Sequence, residues 1–292
     1  MARFRRLQAL AVTGGASVLS ATLLAGTASA AATPTGRDID CRVIKCVALT
    51  FDDGPGLQTT KLLAMLAAED VRATFFVLGD VANARPAALR AIAAAGHEIG
   101  SHTWSHRQLP LLTDDGVRAQ LTRAADRIEQ ITGFRPLLMR PPYGSVSDRV
   151  QRILGERDWP LIEWSVDPED WKDRNADTVY RRVIAQTAPG SIVLLHDIHP
   201  TTVAAVPRIL AELKDRGYTF VTVTELYGGE AVLTPGREYY GREGLYKRPA
   251  TTSAPAAKAD AEDAETDASE SDPAESDTAE SDTAESDAAA AG

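Results

Sequence analysis

The chain has 292 residues, 44% of them hydrophobic, which is enough for one large domain or two small ones. Its formal net charge is −10, but residues 251–292 hold 13 of the 41 acidic residues and one of the 31 basic residues, so the preceding part is nearly neutral. A nearly neutral fold without a basic stripe argues against nucleic acid as a partner.

Residues 1–30 have the layout of a secretory signal peptide. Three arginines lie within the first six residues, an apolar stretch covers about 7–26, and Ala-Ser-Ala at 28–30 offers a cleavage site. An uncleaved membrane anchor is the alternative, but glycine, serine and threonine residues weaken the apolar stretch. We therefore expect a secreted protein, extracellular or associated with the cell wall, without stable membrane insertion after cleavage.

The chain contains two cysteines, Cys41 and Cys46, which follow a short predicted linker at 31–40. In an exported protein, such a closely spaced pair favours a small disulfide loop, with free buried thiols as the alternative. The pair supplies too few ligands for a metal site of its own.

Between 41 and 246 the apolar pattern alternates strands with helices. Strands are predicted at 46–51, 73–78, 97–100, 137–140, 160–165, 191–195 and 219–223. Helices are predicted at 59–68, 86–95, 114–131, 148–155, 177–188 and 203–216. Alternation with short connections predicts an α/β fold with a parallel sheet, either a closed barrel or an open doubly wound one. A phosphate-binding glycine loop does not follow the first strand, so we favour a barrel of about seven strands.

Residues 247–292 are an acidic, low-complexity tail. Alanine, serine, threonine and acidic residues dominate it, and Ala-Glu-Ser-Asp recurs at 274–277, 279–282 and 284–287. Such a composition buries too little apolar surface to offset the entropy of ordering, so we predict a disordered segment.

Two groups of polar residues follow the first and third predicted strands. Asp52 and Asp53 are adjacent, so two ionised carboxylates there require a cation or different roles. His102 and His106 are four residues apart, and a helical turn would bring both rings to one face, as a metal site requires. A solvated Asp-Gly-Pro turn and a hydrogen-bonded histidine pair are the structural alternatives.

Three further groups follow the fourth, fifth and sixth predicted strands. Arg140 precedes Pro-Pro-Tyr-Gly, in which two prolines hold the backbone extended and Tyr143 can offer an N–H donor. Asp170 and Trp171 follow the fifth strand, and His196 follows the buried sixth strand. The carboxyl ends of parallel barrel strands meet at one face, so all five groups are expected to converge on a single site.

With these five motifs in order over about 45–226, the chain resembles the polysaccharide deacetylase family, also called the NodB-homology domain or carbohydrate esterase family four. The resemblance implies a distorted (β/α) barrel and a divalent metal, usually zinc, with cobalt, nickel or manganese as other candidates. The implied metal ligands are Asp53, His102 and His106. Trp171 and Leu194 are implied to line the acetyl pocket.

The resemblance also implies the catalytic roles. Asp52 is the general base and Arg140 holds it, whereas His196 is the general acid and Asp170 tunes it. Tyr143 contributes its backbone N–H to the oxyanion site and thereby contacts the substrate.

The implied activity is hydrolysis of N-acetyl groups on N-acetylglucosamine-type residues of peptidoglycan or chitin oligomers. An acetylated polysaccharide is therefore the expected partner. An O-acetyl esterase acting on xylan and a catalytically silent glycan-binding protein are the alternatives. The sequence does not specify the oligomeric state.

Overall fold

The computed structural model describes residues 37, 39–229 and 232–242. The predicted signal peptide, most of the linker and all of the acidic tail lie outside these residues. Within the described ranges, no helix has the length and hydropathy that crossing a bilayer requires.

The strands and helices alternate along the chain, as predicted. The strands are β1 (Cys46–Asp52), β2 (Thr74–Val77), β3 (Glu98–Ser101), β4 (Leu161–Ile162), β5 (Ile192–His196), β6 (Thr219–Phe220) and β7 (Glu238–Tyr239). The helices are α1 (Thr59–Ala68), α2 (Gly79–Ala84), α3 (Pro86–Ala94), α4 (Asp114–Thr132), α5 (Asp148–Gly155), α6 (Asp170–Asp173), α7 (Ala176–Gln186), α8 (Pro200–Asp215) and α9 (Val223–Tyr227).

The strands pair in parallel around a ring. The main sheet has the order β3-β2-β1-β5, and β6 pairs with the first residues of β1. Beyond β3, single parallel bridges join Ser101 to Met139 and Met139 to Leu161, and a bridge between Val166 and Val193 returns to β5. The predicted α/β fold with parallel strands is therefore confirmed.

The predicted count of seven barrel strands is not confirmed. The segment 137–140 forms only the bridges at Met139, because Pro136, Pro141 and Pro142 on either side lack an N–H for a longer ladder. The predicted strand at 160–165 shortens to the two residues of β4, which pair with β7 and join the ring only through the bridge of Leu161 to Met139.

The last predicted strand, 219–223, forms only over Thr219–Phe220, and the prediction was wrong for its later residues. Thr222 begins α9 with a capping box, in which its hydroxyl accepts from the Glu225 N–H and the Glu225 side chain accepts from the Thr222 N–H. The Thr-x-x-Glu spacing was visible in the sequence, but the apolar pattern around Val221 favoured a strand. The short helices α2 and α6 were also missed.

A buried core lies between the strands and the outer helices. All seven residues of β1 are buried, as expected for a parallel strand covered on both faces. Phe51 of β1 stacks on Phe75 of β2, with ring centroids 5.2 Å apart. The main cluster also includes Leu66 of α1 and Ile209 of α8. This packing holds the strand ends in fixed positions, which matters for the site they carry.

A disulfide bond joins Cys41 and Cys46 at the start of the domain, with an S–S distance of 2.04 Å. Cys46 is the first residue of β1, so the bond ties the preceding loop to the central strand.

Candidate active site

Adjacent carboxylates at the end of β1 point to different partners. Asp52 is the last strand residue and is buried, whereas Asp53 has a positive φ of 67°. Aspartate tolerates this left-handed conformation better than most residues. The change in backbone direction gives the two side chains different main partners, although His102 Nε2 lies near both, 3.8 Å from Asp52 Oδ2 and 3.6 Å from Asp53 Oδ1.

Asp52 forms a buried ion pair with Arg140. The Arg140 Nη1 lies 2.8 Å from Asp52 Oδ1 and donates to Thr50 Oγ1 at 2.7 Å. The other guanidinium nitrogens donate to the carbonyl oxygens of Ile162 and Glu163, both at 2.9 Å. Burial raises the pKa of Asp52, and the charge and hydrogen bond of Arg140 oppose this effect without cancelling it. The result is a rigid carboxylate that is more basic than an exposed one.

Asp53, His102 and His106 converge into one cluster. Asp53 Oδ1 lies 3.6 Å from His102 Nε2 and 3.4 Å from His106 Nε2. The predicted helical turn for the histidines was wrong, because Thr103 and His106 have positive φ values of 74° and 54° and the segment is a loop. The Thr103 hydroxyl accepts from the His106 N–H at 3.2 Å, and this local bond brings the second ring back toward the first.

The donor atoms of this cluster fit a divalent cation. Asp53 Oδ1 is buried and has no hydrogen-bond partner within the part of the chain that the structure describes. Ligands about 2.0–2.2 Å from a tetrahedral ion lie about 3.3–3.6 Å from one another, which matches the two measured distances. A cation there would satisfy the buried oxygen, which otherwise costs free energy.

His102 has the tautomer that a metal ligand needs. Its Nδ1 lies 2.6 Å from the Arg140 carbonyl oxygen, which only accepts, so Nδ1 carries the proton and Nε2 keeps its lone pair. Burial lowers the pKa of His102 to about 3, and the nearby Asp53 charge opposes this only in part. The ring is therefore neutral over the physiological range.

On β5, His196 stands directly opposite Asp52 in the strand register. Its Nδ1 and its backbone N–H each lie 2.8 Å from the Asp170 carboxylate, which also accepts from Thr202 Oγ1 at 2.7 Å. Burial alone would lower the pKa of His196, but the hydrogen bond and the charge of Asp170 outweigh it and raise this pKa to about 9. His196 is thus protonated at neutral pH.

Tyr143, Trp171 and Leu194 occupy the surroundings of these groups. Tyr143 has a φ of 63° and is 67% exposed, and its ring lies edge-on to His106 with centroids 4.5 Å apart. Leu194 is buried two residues before His196, so both side chains lie on the same face of β5. Trp171 is half exposed on α6, the helix that begins with Asp170.

The sequence did not reveal several residues that hydrogen-bond to the site residues from distant positions in the chain. Thr50 and Thr202 anchor Arg140 and Asp170, and contacts across 90 and 32 residues leave no local sequence pattern. Asp197 accepts from the Thr59 hydroxyl, and a Cβ at Gly54 would lie 2.6 Å from Asp197 Oδ1, so only glycine fits that turn.

Glu163 was also missed, although a carboxyl inside an apolar strand pattern was a usable signal. It is buried, its Oε1 has no hydrogen-bond partner in the described structure, and burial raises its pKa to about 7. A Cβ at Gly144 would lie 3.2 Å from its Oε2, so the carboxyl packs directly beneath the turn that carries Tyr143.

Comparisons with known proteins identify the family to which this fold belongs. The family model described as polysaccharide deacetylase matches residues 40–159. The peptidoglycan-N-acetylglucosamine deacetylase PgdA of Listeria monocytogenes is 43% identical over 199 residues, which cover 68% of this chain and 42% of that protein. The peptidoglycan-N-acetylmuramic acid deacetylase PdaC of Bacillus subtilis is 42% identical over 183 residues, which cover 62% of this chain and 38% of that protein.

The chain therefore spans about two fifths of the length of these two relatives. A solved structure described as T48 deacetylase with substrate matches with 41% identity and a TM-score of 0.66. That match covers 69% of this chain and 99% of the solved chain.

An α/β fold whose strand ends bring an aspartate and a histidine together, beside a cluster of one aspartate and two histidines, is an arrangement suited to hydrolytic chemistry. Sequence identity of 41% across 99% of a solved deacetylase places the chain within one family of hydrolytic proteins. The chain belongs to the polysaccharide deacetylase family.

Proposed function

We propose that this protein is a secreted, zinc-dependent deacetylase that hydrolyses the N-acetyl groups of aminosugar residues in peptidoglycan. The observation that carries the proposal is the placement of Asp52 and His196 opposite each other, next to the cluster of Asp53, His102 and His106. The names of the relatives PgdA and PdaC support peptidoglycan as the substrate. Export rests on the signal-peptide layout of residues 1–30.

The cluster residues hold the metal in this proposal. Zinc fits the ligand set because it accepts imidazole nitrogen and carboxylate oxygen and leaves coordination positions for substrate. A bound zinc ion supplies Lewis-acid polarisation of the acetamide carbonyl and makes water more acidic.

Asp52 acts as the general base. It accepts a proton from the attacking water as the new C–O bond forms, and its raised pKa strengthens it for this role. Arg140 keeps the carboxylate in one position through its four hydrogen bonds to Asp52, Thr50 and two carbonyl groups. The backbone N–H of Tyr143 donates to the oxygen that gains negative charge.

His196 acts as the general acid. An amine is a poor leaving group unless it is protonated, so the acid must hold its proton at the working pH. The Asp170 carboxylate maintains this state by raising the pKa of His196 to about 9. Proton transfer to the sugar nitrogen accompanies cleavage of the C–N bond, and acetate and a free amine are the products.

Acetate release from peptidoglycan, chitin oligomers and acetylated xylan, each with zinc, cobalt, nickel or manganese, tests the proposal. We expect release from peptidoglycan with a divalent metal. Release from xylan alone would favour the O-acetyl esterase, and glycan binding without acetate under any condition would favour a silent binding protein.

The substitution Asp52→Asn tests the mechanism. It removes the base but leaves the three metal ligands, so we expect turnover to fall by about 100-fold or more while zinc content by elemental analysis stays near one per chain. Activity within a few-fold of the unsubstituted protein would remove Asp52 from this role.

A further inference from the structure

A pocket of about 250 Å³ borders the metal-binding cluster on the side of His106. It is lined by His106, Arg107, Gln108, Leu111, Leu112 and Tyr143. We call it the Arg107 pocket. Because His106 belongs to both, a group in this pocket lies beside whatever reacts at the cluster.

The Arg107 pocket has an exposed apolar wall. Leu111 is 78% exposed and Tyr143 is 67% exposed, and the two side chains line the same concave surface. Exposed aromatic and aliphatic side chains in a concave site offer contacts to the apolar face of a ligand such as a sugar ring. This wall therefore provides packing but no charge selectivity.

Arg107 provides the charge. Its side chain is exposed and, among the residues that the structure describes, makes no hydrogen bond or ion pair. The neighbouring Gln108 is already engaged, because its Nε2 donates to Ser145 Oγ at 3.0 Å. No aspartate or glutamate lines the pocket, so nothing in the lining neutralises the guanidinium. A free guanidinium matches the geometry of a carboxylate with two parallel N–H donors.

We propose that the Arg107 pocket binds a carboxylate on the sugar next to the acetylated one, and that Arg107 is a specificity-determining residue. This inference rests on the proposed function. It deepens that function by predicting discrimination between peptidoglycan, whose muramic acid residues carry lactyl or peptide carboxylates, and chitin oligomers, which are neutral.

The test compares KM and kcat on three substrates: chitin tetramer, peptide-free glycan strands with free lactyl carboxylates, and strands that carry stem peptides. We expect Arg107→Gln to raise KM for a carboxylate-bearing substrate about five- to tenfold more than KM for the chitin tetramer. The KM of Arg107→Lys for a carboxylate-bearing substrate should lie between that of the unsubstituted protein and that of Arg107→Gln. Lysine keeps the positive charge but cannot donate two parallel hydrogen bonds. Arg90→Gln, which removes an exposed arginine of α3 outside the pocket, is the matched control.

The two carboxylate sources are separable. An effect confined to peptide-free strands assigns the lactyl group, and one confined to peptide-bearing strands assigns the stem peptide. Added salt should reduce the preference of the unsubstituted protein for the anionic strands more than that of Arg107→Gln, because salt screens an exposed ion pair.

An equal change in KM for neutral and anionic substrates, or no change, would overturn the inference. Calorimetric binding of peptide-free and of peptide-bearing strands gives a second reading without turnover, and unchanged affinity of Arg107→Gln for both would overturn the inference as well. A complete lack of acetate release from all three substrates would contradict the proposed function instead.

Discussion

Replacing Asp170 by asparagine tests whether one buried charge keeps His196 protonated. In the native structure the two carboxylate oxygens of Asp170 accept from the Nδ1 and the backbone N–H of His196. Asparagine can keep one of these bonds but loses the negative charge. Burial, which by itself lowers the pKa of His196, then has the larger effect.

The expected size of the effect follows from the native pKa. Histidine in water titrates near 6.5, so a pKa of about 9 corresponds to about 3 kcal/mol in favour of the protonated form. In Asp170→Asn we expect the pKa to fall below 6.5. At pH 8 the protonated fraction would then be about 3% or less, so turnover should fall roughly 30-fold. At pH 5.5 the loss should be much smaller, because the protonated fraction of the imidazole in the variant rises as the pH falls toward its lowered pKa.

The assay is the pH profile of kcat, together with an NMR titration of the His196 ring. The alkaline limb should move from about pH 9 to below 7 in Asp170→Asn. Thr202→Val is the matched control, since it removes a hydrogen bond to the same carboxylate and leaves the charge. An alkaline limb that stays in place in Asp170→Asn would refute the assignment of His196 as an acid tuned by Asp170.

The raised pKa of His196 also determines how the stability of the fold changes with pH. The native state holds the His196 proton more tightly than the unfolded state, so the raised pKa of His196 stabilises the fold fully below about pH 6.5 for as long as Asp170 is ionised. This contribution is lost as pH rises through about 9.

Two further substitutions test the ion pair and the cluster. Arg140→Met should lower stability by about 3–5 kcal/mol, because it leaves Asp52 buried without its partner; a melting temperature within a few degrees of the unsubstituted protein would contradict this. His102→Ala should abolish zinc binding by elemental analysis, whereas His97→Ala, at a buried histidine that accepts from the Ala73 N–H instead, should keep the metal. Full zinc content in His102→Ala would exclude it as a ligand.

Much of the fold was predictable because its signals are local. The buried apolar pattern of β1 and β5 predicted both strands to within one residue, and Gly133, with a φ of 85°, ends α4 where the sequence suggested. Strand predictions failed where local backbone constraints or hydrogen bonds opposed the strand that the apolar pattern indicated. Prolines around Met139 prevented a strand, and the capping box of Thr222 replaced the end of another with a helix.

The site residues were predictable as a set, because parallel strands deliver their carboxyl ends to one face. The directions in which their side chains point were not predictable. The spacing of His102 and His106 predicted a helix, yet positive φ values at Thr103 and His106 bring the rings together in a loop. The anchoring contacts of Thr50 and Thr202 cross 90 and 32 residues, so only the folded chain shows them.

The separation of roles between the two aspartates depends on strand register and on one backbone angle. Asp52 pairs with His196 across β1 and β5, and the pairing of Thr50 with Leu194 places these four side chains on one face. A register slip of one residue would turn Asp52 away from Arg140 and misplace the side chains that pack on both faces of the strand, which the buried core opposes. Only after the strand ends does the positive φ of Asp53 turn its carboxylate toward the two histidines. In the proposed mechanism, one strand thereby supplies a base and a metal ligand from consecutive residues, and Arg140 forms its ion pair with the first of them.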